Sequence, residues 1–129
     1  MPRTPSIMGL HLSYRLWIAE MNSDINILRI FDDYIKELAS KQNELEVKKR
    51  IEYFQNQFIS FRKEIDELRD AMHILKMKLA AHAREKKPLD NKTYKTDNHT
   101  ALKKRYFAFR KLFNKVKGEF IQFESEWPD

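Results

Sequence analysis

The sequence contains no cysteine, which excludes a disulfide framework, a thiolate zinc site and a cysteine nucleophile. It has only two glycines, Gly9 and Gly118, and four prolines. That is too little for a chain of many tight turns or for a glycine-rich loop that cradles phosphate. No G-x-S-x-G turn is present either, so the usual routes to nucleophilic catalysis are missing. Long apolar runs are absent too: nothing approaches the roughly 20 residues of a membrane span. The opening "MPRTPSIMGLHLSYRLW" interrupts its apolar residues with Ser6, His11, Ser13 and Arg15, unlike the unbroken apolar segment of a signal peptide. The expectation from these absences is a soluble, cytoplasmic, non-enzymatic protein that needs no cofactor and spans no membrane.

What is present suits a single helical domain. The chain has 129 residues, of which 42% are hydrophobic and 34% charged, and it carries nine phenylalanines, five tyrosines and two tryptophans. That is enough apolar material for one buried core, with long charged side chains left over for solvated helix faces.

Apolar residues recur at alternating steps of three and four, the signature of an amphipathic helix. The middle series is Val47, Ile51, Phe54, Phe58, Phe61, Ile65, Leu68, Met72, Leu75, Leu79 and His82. Near the C-terminus it is His99, Leu102, Tyr106, Phe109, Phe113, Val116, Phe120, Phe123 and Trp127. The first series is looser: Leu10, Tyr14, Trp17, Met21, Asp24, Leu28, Phe31, Ile35 and Leu38, with Ile18 and Ile25 beside it. Helices are therefore predicted near residues 12–42, 44–86 and 97–127. The polar run Ser40 to Asn43 argues for a first turn, although the junction has no glycine or proline and a bent continuous helix also fits it. The second is a basic loop over 87–96, with Pro88 as a stop and Asp97 as the N-cap of the last helix.

Short connections make neighbouring helices antiparallel. The expected fold is an all-α, up-down-up three-helix bundle over residues 1–129 with coiled-coil-like heptad packing. In that register residue 82 lies level with residue 99, residue 38 near 49 and residue 10 near 77. Three histidines, His11, His82 and His99, then meet at one end, with His73 two turns further in. Imidazoles from three helices form a candidate metal site; seam-end histidines also serve simply as amphipathic plugs with their nitrogens in water. A carboxylate-bridged di-metal site is rejected, because only Asp70 and His73 have the spacing and only once.

Charge is distributed unevenly. The net charge is +6, but residues 76–117 hold fourteen Lys and Arg against three Asp and Glu. Within that stretch Lys103, Lys104, Arg105, Arg110 and Lys111 alternate with aromatics and form a candidate surface for DNA, RNA or another polyanion. Tyr106, Phe109 and Phe113 belong to the seam, which leaves Phe107 as the candidate exposed ring. The acidic run Glu64, Asp66, Glu67 and Asp70 reads as a solvated helix face. Asp24 stands alone inside an apolar stripe, opposite Arg62 and Lys63 and near Gly118. Either it pairs there, or it reaches water from the stripe's edge while Ile25 points inward. A second apolar row of Ile27, Ile30 and Tyr34, with Tyr53, Ile59 and Ile74 on the middle helix, is either a generous core stripe or more apolar surface than three helices can hide. The latter suggests a protein partner, including a homodimer.

The segments "LWIAEMNSDINIL" from Leu16, "FQNQFI" from Phe54, "IDELR" from Ile65, "DNHTALKKR" from Asp97 and "GEFIQFESEW" ending at Trp127 occur in that order. In this combination the sequence resembles a family of small bacterial all-helical proteins of uncharacterised activity, over about residues 11–127. The resemblance implies a helical bundle and brings no ligand or catalytic residue. Tyr14 and Arg15 depart from it, at positions where the family pattern is more polar or acidic. The function expected from the sequence is a non-enzymatic helical scaffold or protein-interaction module. Polyanion binding and metal binding are the alternatives.

Overall fold

The computed structural model describes residues 6–85 and 99–127. Three helices follow in order: α1, Ile7–Lys41; α2, Leu45–Arg84; and α3, His99–Ser125. They form the expected three-helix bundle, with α2 packed against both neighbours. Among the described residues there is no strand, and no helix is long and apolar enough to cross a membrane.

α1 begins five residues earlier than the stripe predicts. The cause is Ser6, whose backbone is extended and whose hydroxyl accepts from the Gly9 backbone N–H at 2.9 Å. That bond satisfies one of the first-turn donors with no helical partner, so the helix starts where a cap exists rather than where the apolar repeat becomes regular. At the other end Gln42 turns extended while its N–H still bonds Leu38 O, and α2 restarts after Glu44, also extended. The turn over 42–44 is thus a real break, and the bent continuous helix that the glycine-free junction would allow does not form. The predicted loop 87–96, Pro88 and the cap at Asp97 lie outside the described residues.

The core follows the stripes closely. All ten apolar members of the middle series are buried, as are all members of the last one from His99 to Phe123. Phe58, Phe113 and Leu28, one from each helix, share a single apolar core. At about 1.5–3 kcal/mol for each large apolar side chain removed from water, this burial is the main force holding the helices together. In α1 the packing is looser: Ile18 is buried, whereas Trp17 and Phe31 are only half-buried against the core.

The axial offset of α3 differs from expectation. Arg105 bonds Glu64 and Glu67, Phe61 faces Phe109 and Phe113, Phe54 faces Phe120, and Arg50 reaches Glu126. Extended to its first residue, this register sets His99 level with about residue 74 of α2. That is about eight residues, roughly 12 Å along the axis, from His82. The ends of α1 and α2 therefore run on together past the start of α3.

Candidate functional site

The backbones of α1 and α3 nowhere approach as closely as those of the other two helix pairs, and long side chains fill the gap. Arg110 of α3 crosses it. Its Nη1 donates to Asp24 Oδ1 at 2.9 Å and its Nη2 to Asp24 Oδ2 at 2.6 Å, the two-pronged geometry that matches a guanidinium to a carboxylate. Nη2 also donates to the Tyr106 hydroxyl at 3.1 Å, and Nε lies 2.5 Å from Glu20 Oε1. The guanidinium carbon sits 5.4 Å from the Tyr106 and Phe109 ring centres. Asp24, at 3% exposure, is deeply buried.

The electrostatics follow from this geometry. Burial works to lower the Arg110 pKa, but the hydrogen bonds to Asp24 and Tyr106 outweigh it and hold the guanidinium above its ordinary value. Burial pushes the Tyr106 phenol up, against the opposing pull of Arg110. Asp24 is therefore neither at the stripe's edge nor paired with Arg62 or Lys63; Arg62 takes Asp32 instead. Two offsets differ from expectation: Arg62 meets α1 two turns beyond Asp24, and α3 sits where Arg110 reaches Asp24. One cation closed on two carboxylates and a phenol is a registration device between α1 and α3. Sequence reasoning named Asp24 but missed Glu20 and Tyr106. An i, i+4 pair of acids on α1 was the available signal.

The histidines do not assemble. His99, at 1% exposure, is packed inside, its Nδ1 hydrogen-bonded to the Tyr14 hydroxyl and its ring stacked on the Tyr14 ring at 5.7 Å. It is no plug with its nitrogens in water. His82 and His11 are half-buried and His73 is exposed. Among the described residues no group of three or more His, Asp or Glu side chains is arranged to hold a metal ion. The offset of α3 is the reason, since it carries His99 about two turns away from the level of His82.

The five cations proposed for polyanion binding separate into two groups. Arg110 is internal, and Arg105 donates to Glu64 and, at 2.5 Å, to Glu67. The Glu64 bond is the largest influence on Arg105, and with Glu67 it raises the guanidinium pKa against the effect of burial. Lys103, Lys104 and Lys111 are exposed, and none has an acidic partner among the described residues. Lys115 is exposed along the same helix, and α3 has no Asp or Glu from His99 to Gly118. Phe107 is half exposed, but Trp17 backs it edge-on at 5.6 Å and Lys103 lies 5.7 Å from its ring centre.

Two apolar surfaces remain. On α1 the row Leu12, Leu16, Ala19, Ser23, Ile27, Ile30 and Tyr34 steps by three and four with no charge in it, and all but the half-buried Ile27 are exposed. Only its last three apolar members stood out in sequence; the step pattern itself was the signal for the rest. Where α1 and α2 outrun α3, a groove of about 590 Å³ opens between Met8 and Leu12 on one helix and Ala80 and Ala83 on the other, with His11 and Arg15 also in its lining.

Comparison of the chain with protein-family models, with curated protein sequences and with solved structures gives no match.

Proposed function

We propose that this chain is a non-enzymatic helical scaffold that meets a partner protein along the outer face of α1, with a second copy of the chain as the occupant that fits. The observation that carries this reading is the uncharged row from Leu12 to Tyr34. It runs for about 33 Å of helix, and Ile30 and Tyr34 remain 53% and 50% exposed. Its steps of four, three, four, four, three and four repeat every eleven residues, and a sustained apolar row of this kind is self-complementary: two such helices bury it against each other through a two-fold axis. Large apolar side chains gathered on one helix face are the mark of an association surface rather than of ordinary scattered exposure. The buried polar cluster around Arg110 pairs its cation with carboxylates of α1 and supports registration of the helices, not turnover.

Sedimentation velocity over a concentration series tests this. The wild type should dimerise, and Ile30→Lys with Tyr34→Lys should give a monomer with unchanged far-ultraviolet circular dichroism. A wild type that stays monomeric at the highest concentration removes the reading.

Polyanion binding along α3 is the second reading, and Lys103, Lys104 and Lys111 support it because they lack acidic partners among the described residues. Anisotropy titrations of labelled DNA or RNA should then show affinity falling steeply with salt, by about 0.9 in logarithmic slope for each phosphate neutralised. A flat salt dependence, or no binding at low salt, would sink it.

A further inference from the structure

The end of the α1–α2 pair that α3 does not line combines uncompensated cations with bare apolar side chains. From Ile7 to Ala19 and from Ala71 to Arg84 there is no Asp or Glu. Arg15, Lys76 and Arg84 lie in these segments, and none has an acidic partner among the described residues. In the same place Met8 and Met77 are 83% and 71% exposed, the two highest values among the large hydrophobic side chains described. Met77 lies one turn before Ala80, which with Ala83, Met8 and Leu12 walls the groove. No residue of α3 lines that groove, so this surface is separate from the lysines at 103, 104 and 111. It is also separate from the Ile30 and Tyr34 end of the α1 row.

Each feature narrows the occupant. A nucleic acid is held by cations and has no use for bare thioether and alkyl side chains away from stacking rings. A second copy of the chain would place these cations against one another. A surface that is dense in negative charge and has hydrocarbon directly beneath it satisfies both features. Anionic headgroups lie level with Arg15, Lys76 and Arg84 while Met8, Leu12 and Met77 enter the boundary with the acyl chains. Methionine suits this contact because its unbranched, flexible side chain adapts to an irregular apolar surface.

We infer that the α1–α2 end docks on the surface of an anionic lipid bilayer, lying on it and not crossing it. Met8, Leu12 and Arg15 of α1 line one groove with Ala80 and Ala83 of α2, so apolar and cationic groups share that opening and neither helix needs to insert lengthwise. The docking goes beyond the scaffold reading and shares only Leu12 with it.

Co-sedimentation with phosphatidylcholine vesicles, and with vesicles in which part of that lipid is replaced by phosphatidylserine, tests the inference. The wild type should bind the phosphatidylserine vesicles, fail to bind phosphatidylcholine alone, and bind less as salt is raised. Met8→Ser with Met77→Ser should weaken partitioning by roughly tenfold or more, and Arg15→Gln with Lys76→Gln should do the same. Circular dichroism must stay unchanged in both. Lys103→Gln with Lys104→Gln and Lys111→Gln should leave partitioning as it was. Absence of vesicle binding overturns the inference, as does binding that ignores phosphatidylserine. Full retention by the methionine variant overturns it by showing a purely electrostatic contact, and loss in the α3 variant overturns it by moving the contact to the lysines. Capture by poly-glutamate without vesicle binding also overturns it and assigns the surface to an acidic polypeptide.

Discussion

The two ends of the bundle are both packed with aromatic rings, yet they are held together differently. Towards the α1–α2 turn, Phe31, Phe54, Phe58, Phe120 and Phe123 form a hydrocarbon cluster, with Phe31 and Phe120 at 4.6 Å and Phe54 and Phe120 at 5.3 Å between ring centres. Towards the start of α3 the rings are Tyr14, Trp17, His99 and Tyr106, with Trp17 stacked on Tyr106 at 5.0 Å and the Asp24–Arg110 pair beside them. The first cluster asks only for volume and shape. The second adds partners that must be met once its hydroxyl, imidazole and guanidinium groups leave water. The first end therefore tolerates hydrophobic exchange, while the second fixes how far α3 may slide along α1.

The largest effect expected from breaking this contrast is at Arg110. Arg110→Ala leaves Asp24 buried without its cation and should cost about 3–5 kcal/mol in urea unfolding. Asp24→Leu combined with Arg110→Met should recover most of that loss, because the desolvation penalty disappears with the charges. A single-mutant loss under about 1 kcal/mol would show that the pair is not the registration device. At the other end Phe58→Leu keeps the hydrophobic character and should cost less than about 1.5 kcal/mol. A larger loss would mean that shape there is as demanding as polar pairing. Tyr14→Phe removes the bond to His99 and should cost about 1 kcal/mol, measurable as a shift in the urea midpoint with an unchanged slope.

Smaller still is Gly118→Ala. A methyl at Gly118 meets nothing within 4 Å, and the residue lies inside α3, so thermal unfolding should show a gain of roughly 0.5–1 kcal/mol. The least visible effect at neutral pH is at Tyr106. Its pKa is raised above 10.0 by burial, so the folded state holds this proton more tightly than the unfolded chain. The resulting stability is fully present below the unfolded pKa and is lost as pH rises through the raised folded value. In an alkaline titration followed by tyrosinate absorbance, Tyr106→Phe should remove a late-ionising component.

Much of the fold was legible in the sequence, and the reason is local. Val47 through Leu79 and Leu102 through Phe123 all turned inward where the three-and-four step placed them, because a helix repeats every 3.6 residues whatever it packs against. The α1–α2 register was less exact: Arg62, expected opposite Asp24, meets Asp32 two turns along α1, although only residues 42–44 separate the two helices. The start of α1 was missed because Ser6 acts through one hydrogen bond outside the apolar pattern. The candidate sites fared worse. Arg105 and Arg110 read as surface cations in sequence and are engaged by acids from α2 and α1, pairings that no spacing within α3 could reveal.

The sequence alone determined that the chain is helical and which flank of each apolar stripe is buried, because both depend on neighbours within one or two turns. Only the tertiary structure decided the axial position of α3, and with it the pairing of Asp24 with Arg110, the burial of His99 against Tyr14 and the exposed α1–α2 end. The fourteen residues between Arg84 and His99 are long enough to reach any of several offsets. The offset chosen is the one at which a buried carboxylate and a buried guanidinium meet.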